Sequence, residues 1–151
     1  MGSDRLRVLP PRAPGTSTTL VDTNVLLDIL TEDPKWAQWS EAALAEARDA
    51  GTIVINPIVY AEVSVRFERI EMLDEALPAS DFLREELPYP AGFLAGKAYA
   101  RYRRLGGVKR APLADFYIGA HAAVCRYALL TRDASRYRTY FPSLALTTPE
   151  P

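Results

Sequence analysis

Apolar residues in this chain gather into short runs with two alternating periods. Thr19-Leu20-Val21 and Thr52-Ile53-Val54-Ile55 are compact, β-branched runs that predict strands. Between them, Asn24 to Leu30 reads as an apolar helix, and residues 35–50 as an Ala-rich helix stopped by Gly51. A helix opens after Pro57 and runs through Glu62 toward Phe67. Residues 69–77 predict another, ended near Pro78, and residues 91–104 a further one that stops at Gly106-Gly107. Pro112 opens a nearly all-apolar helix to about Tyr127. Ala128-Leu129-Leu130 then predicts a strand, Ala134 to Tyr140 a short helix, and Leu144-Ala145-Leu146 a last strand. Strands alternating with helices imply an α/β fold built on a parallel sheet. No internal repeat or linker interrupts the pattern, so residues 19–151 are expected to form a single domain. Residues 1–18 carry Pro10, Pro11, Pro14 and Gly15 among Ser and Thr with no hydrophobic period, and read as a flexible tail.

Composition narrows the class. The chain has 151 residues, 48% hydrophobic and 25% charged, enough for one domain with a real core. No apolar run approaches the roughly 20 residues that span a membrane, and no signal-peptide pattern opens the chain. Cys125 is the single cysteine and His121 the single histidine. Together they exclude an internal disulfide and a thiolate metal cage, and they fit a reducing cytoplasm. The net charge is −1, but it is unevenly spread. Acids dominate from Glu62 to Glu86. From there to Asp115 none appears, while Lys97, Arg101, Arg103, Arg104, Lys109 and Arg110 follow one another. Such a stripe suits a phosphate backbone; it equally suits a solvated helix face followed by a loop.

Sites in parallel α/β sheets sit beyond the carboxyl ends of the strands. Asp22 follows the first strand, and Glu62 rides on the helix after the second. Asp115 lies in the first turn of the apolar helix, and Thr131-Arg132-Asp133 follows the third strand. Asp22, Asp115 and Asp133 each also fit an ordinary helix cap or first-turn acid. Glu62, however, shares its face with Ile58, Val59 and Val63, and Asp115 with Ile118, Gly119 and Ala122. No base on either face offers a partner. A carboxylate removed from water costs several kcal/mol unless compensated, so the two acids point to a bound cation. Carboxylate oxygens and water suit Mg²⁺ or Mn²⁺, ions that acidify water and neutralise phosphoryl oxygens. Phosphodiester hydrolysis is the reaction this predicts, with one or two ions.

Four motifs then resemble those of PIN domains, in order and in spacing. They are Leu20-Val21-Asp22-Thr23-Asn24-Val25-Leu26-Leu27-Asp28, Tyr60-Ala61-Glu62-Val63, Leu113-Ala114-Asp115-Phe116 and Leu130-Thr131-Arg132-Asp133. Arg136-Tyr137-Arg138-Thr139-Tyr140-Phe141-Pro142 resembles the end of bacterial VapC toxins, and the likeness covers roughly residues 19 to 148. The resemblance implies a parallel sheet flanked by helices on both sides and a Mg²⁺- or Mn²⁺-dependent endoribonuclease. It implies a homodimer, structured RNA as substrate, and neutralisation by a VapB-like antitoxin. Carried over by motif position, Asp22, Glu62, Asp115 and Asp133 are the metal-site carboxylates, with Asn24 and Thr131 as polar helpers. Arg101, Arg104, Lys109, Arg110 and Arg132 are candidate RNA contacts. An RNA-processing PIN nuclease that is not a toxin, and an inactive binder of RNA or a partner, are the alternatives. A pure binder of polyanions gains nothing from clustered acids. A phosphatase that uses Asp22 as nucleophile in an Asp-x-Asp motif is disfavoured by Asn24 at the second position.

Other polar and aromatic residues read as structural. His121 lies about 240° round the helix from Asp115 and is expected to pack rather than react. Cys125 is expected in the core. The helical spacing of Trp36 with Trp39 and of Tyr99 with Tyr102 favours core or a dimer face over base stacking. Arg132 is balanced between phosphate and a neighbouring acid.

Overall fold

The structure is a computed structural model that describes residues 17–108 and 113–149. Of the tail expected at 1–18, residues 1–16 lie outside the described residues, as do the bases Lys109 and Arg110 and the helix start at Pro112. Ser17 and Thr18 are not tail but open the first strand, held there by parallel pairing with Gly51 and Thr52. Five strands and seven helices appear among the described residues. They run β1 (Ser17–Val21), α1 (Thr23–Leu30), α2 (Ala37–Ala50), β2 (Gly51–Ile55), α3 (Pro57–Ser64) and α4 (Ile70–Ala76). There follow β3 (Leu83–Arg84), α5 (Tyr89–Arg104), α6 (Leu113–Cys125), β4 (Ala128–Leu130), α7 (Ser135–Tyr140) and β5 (Leu146–Thr147).

All strand pairs are parallel, in the order β3-β2-β1-β4-β5. The central strands are near-continuous apolar runs because both faces are covered: Leu20, Val21, Ile53, Val54, Ile55, Leu129 and Leu130 are buried. With right-handed crossovers, the helices after β1 and β2 cover one face and those after β3 and β4 the other. The chain reverses direction across the sheet between β1 and β4, so the crevice at their carboxyl ends is the topological switch point. The backbone N–H of Asp22 donates to the carbonyl of Leu130 there, at 2.9 Å.

Several boundaries differ from those expected, each for a local reason. The helix expected from residue 35 starts at Ala37, because Asp33 Oδ1 accepts the N–H groups of Lys35 and Trp36 (2.8 and 2.9 Å) and holds them in a turn. The helix expected to run toward Phe67 ends at Ser64. The one expected at 91 starts at Tyr89, with Pro90 in its first turn where no N–H donor is needed. α6 stops at Cys125 because Arg126 adopts a left-handed φ of 59° and the N–H of Tyr127 reaches back to the carbonyl of Ala122 (2.8 Å). The last strand is Leu146–Thr147 rather than 144–146, set by its register with Leu129 and Leu130. β3, two residues beside β2, had no counterpart in the sequence reading.

α6 and α7 meet closely at Gly119. A Cβ there would lie 2.6 Å from the ring of Phe141 and 3.0 Å from that of Tyr137. Glycine at this point lets α7 settle onto α6 and lowers Tyr137 toward the switch point.

Candidate active site

The switch point is lined by Asp22, Thr23, Asn24, Leu27, Glu62, Asp115, Asp133, Arg136 and Tyr137, around a cavity of about 220 Å³. The four acids picked from the sequence thus meet in one cleft, brought there by the end of β1, α3, α6 and the turn after β4.

Asp22 lies at the base and is 4% exposed. Its extended backbone starts α1, and Oδ1 accepts the N–H of Thr23 at 2.8 Å. Oδ2 accepts the hydroxyls of Thr131 and Tyr137, both at 2.9 Å, and the Asn24 amide at 3.4 Å. Burial, with the charge of Asp115 adding to it, raises its pKa to about 6 even against these donors. Asn24 also gives Nδ2–H to Thr131 Oγ1 and accepts the N–H of Arg132, both at 3.3 Å, so it ties the ends of β1 and β4 together. Asn24 and Thr131 therefore both sit against Asp22.

The other three acids are less enclosed. Glu62 Oε1 accepts the Thr23 hydroxyl at 2.5 Å. Asp115 Oδ2 accepts from Arg136 Nη1 at 2.8 Å. Burial lifts the Asp115 carboxyl above the usual range; Arg136 opposes that shift and Asp133 adds to it. Asp133 is exposed at the rim, its N–H donating to Thr131 Oγ1 at 3.1 Å. No base was expected on the helix face of either Glu62 or Asp115; each nevertheless has a partner from another helix, the Thr23 hydroxyl for Glu62 and the Arg136 guanidinium for Asp115. Face-by-face reading of a single helix cannot see them.

The candidate RNA contacts divide. Arg101 and Arg104 lie exposed on the last turn of α5, and Arg101 Nη1 donates to the carbonyl of Thr139 at 3.2 Å. Arg132 instead donates from Nε to Asp28 Oδ2 at 2.7 Å. Asp28 is 2% exposed and also accepts from Ser40. The guanidinium of Arg132 lies over the Trp36 ring, 5.6 Å from its centre. Tyr99 and Tyr102 pack on Phe116 inside the fold. Tyr137, Thr23, Arg136 and Asp28 went unassigned in the sequence.

A second polar cluster lies away from the cleft. Among the described residues, Glu85, His121 and Cys125 form the one group of three whose ligand-type atoms all lie within 4.8 Å of one another; the cleft carboxylates stand further apart. Hydrogen bonding argues against a cation on His121. Asn56 Oδ1 caps α3 by accepting the N–H of Val59 (3.0 Å), so its Nδ2 donates to His121 Nδ1 (3.1 Å). Nε2 then keeps its proton and donates to Glu85 Oε1 (3.1 Å), which leaves the neutral ring no lone pair to give.

The cleft has the reverse character. Its donors are carboxylate, hydroxyl and amide oxygens, the set that hard divalent cations take. A cation beside Asp22 would offset the buried charge that raises its pKa. The residues present therefore fit Mg²⁺ or Mn²⁺.

Comparison with known proteins places these observations. The family profile described as PIN domain matches residues 19–142. No curated protein matches the chain in sequence. Solved structures with a similar fold include VapBC2 of Rickettsia felis, bound to a DNA fragment from its promoter, at 19% identity and TM-score 0.68, over 88% of this chain and 99% of that one. They also include VapBC-1 of nontypeable Haemophilus influenzae, at 18% identity and TM-score 0.66, covering 87% and 97%. A toxin-antitoxin complex from Klebsiella pneumoniae follows at 22% identity and TM-score 0.60, covering 87% and 98%.

Proposed function

The chain belongs to the PIN-domain family, whose members are nucleases, and on that premise we propose that it is a divalent-cation-dependent endoribonuclease acting as the toxin of a toxin–antitoxin pair. The observation that carries the reading is the convergence of Asp22, Glu62, Asp115 and Asp133 from four separate segments on one cleft at the switch point. These four side chains would hold Mg²⁺ or Mn²⁺. When bound, such an ion supplies an acidified water and charge neutralisation at a phosphodiester. The chain's own residues do the rest. Thr131, Tyr137 and Asn24 fix Asp22 Oδ2, and Thr23 orients Glu62. Leu27 supplies an apolar side to the cleft.

The exposed turn bearing Arg101 and Arg104 is the proposed path for the RNA backbone, and Lys109 and Arg110, which follow in the sequence, are proposed contacts with it. Arg132, already paired with Asp28, is left out of that surface. The structural relatives are toxin–antitoxin complexes, which supports a VapB-like antitoxin as partner. Exposed apolar side chains, among them Val65, Ile70, Tyr89 and Phe93, leave surface for that partner and for a second copy in a homodimer. A cytoplasmic location rests on the lone cysteine; no described helix is long and apolar enough to cross a membrane.

Purified protein is expected to cut RNA in Mn²⁺ and to stop when EDTA is added, and its induction is expected to arrest growth. Cleavage that persists in EDTA contradicts the cation-dependent reading. The double variant Arg101→Ala, Arg104→Ala is expected to bind RNA more weakly and to flatten the slope of log affinity against log salt by about two. An unchanged slope would place the RNA elsewhere.

A further inference from the structure

Among the described residues that line the cleft, Arg136 is the one base against four carboxylates. Its Nη1 donates to Asp115 Oδ2 at 2.8 Å. The pair is open: the Arg136 side chain is 36% exposed and that of Asp115 33%. Ion pairs so exposed are weak and exchange readily. The backbone beneath is firmly held by contrast, because the next residue, Tyr137, is 2% exposed and bonded to Asp22. Arg136 is thus a partly exposed guanidinium on a fixed stem at the edge of the cavity.

We infer that Arg136 exchanges partners during the reaction, holding Asp115 until a divalent cation takes that carboxylate and then binding a phosphate of the RNA. This rests on the cation-dependent nuclease reading. A divalent ion on Asp115 sets its charge against that of the guanidinium, and this repulsion weakens an already exposed pair and favours release of Arg136. The released guanidinium stays within its own length of the cavity. The anion that enters with the substrate is a phosphodiester, whose oxygens match the planar fork of Arg.

Two measurements decide it, neither of which reads cleavage. Mn²⁺ binding without RNA, followed by the electron paramagnetic resonance of the free ion, is expected to tighten about tenfold in Arg136→Gln, because a competitor for Asp115 is gone. Calorimetric binding of uridine 5′-monophosphate in saturating Mn²⁺, a ligand with a phosphate and no diester, is expected to weaken about tenfold in the same variant. Arg136→Lys keeps the charge without the fork, so it is expected to bind Mn²⁺ like wild type and the mononucleotide more weakly. Unchanged Mn²⁺ affinity in Arg136→Gln overturns the exchange. Tighter Mn²⁺ with unchanged mononucleotide binding also overturns it, since Arg136 is then a counter-ion and nothing more. A wild-type protein that binds no Mn²⁺ sinks this inference together with the function it rests on.

Discussion

Asp22→Asn is expected to abolish RNA cleavage while making the cation-free protein more stable at neutral pH. The loss should exceed about a hundredfold, the range seen when only a supporting partner of a metal ligand is removed. The stability gain follows from burial. The carboxyl of Asp22 titrates near 6, against an ordinary value of 3.8, because its charged form is desolvated and faces Asp115. The folded state therefore binds this proton more tightly than the unfolded one. Without a cation, the contribution of this carboxyl to stability is full below pH 4 and is lost as pH climbs through 6, a difference of about 3 kcal/mol. Asparagine removes the charge, keeps one acceptor oxygen, and still caps α1. Turning the Thr131 and Tyr137 hydroxyls away from the new amide returns part of the gain. Thermal unfolding in EDTA at pH 7 should show the variant melting above wild type, with the gap closing near pH 4. A variant that melts lower, or that still cuts RNA, would show that Asp22 is not the buried charge described here.

Phe116→Ala is expected to cost about 3–5 kcal/mol of stability, the range for a buried aromatic lost from a core. Phe116 is fully buried, and its ring lies 5.6 Å from that of Tyr102 on α5, 5.2 Å from Tyr140 on α7, and 6.3 Å from Phe141. It is the pin through three helices, and it directly follows Asp115. The remaining space cannot collapse without moving α7, and with it Tyr137 and Arg136. Chemical denaturation measures the loss directly. A drop below about 1 kcal/mol, ordinary for a surface change, would mean the helices are held by other contacts. Phe116→Leu should recover much of the stability, because it leaves the smaller hole.

The sheet and the acids were readable because their signals are local. Apolar runs such as Thr52-Ile53-Val54-Ile55 admit few alternatives, and chemistry in this architecture follows such runs directly. Asp22, Glu62, Asp115 and Asp133 could be found that way one by one. Asn24 and Thr131 came with the same motifs, but the more distant supports could not be found so. Tyr137 reaches Asp22 across 115 positions and Thr23 reaches Glu62 across 39, and no periodicity records such a pairing. Arg136 sits in a short polar helix where a base is unremarkable until Asp115 appears beside it. Asp28 did carry a signal, being the one charge in an otherwise apolar helix, and that charge turned out to anchor Arg132. Strand β3 was unreadable because two residues have no period; its pairing with Val54 and Ile55 defines it.

The rims of the sheet carry one more consequence. β3 and β5 each pair over two residues with their inner neighbours. So brief an edge presents hardly any unsatisfied amide ladder, and an extended segment of another molecule has little template on which to add. Edge-to-edge addition at β3 or β5 is thereby disfavoured.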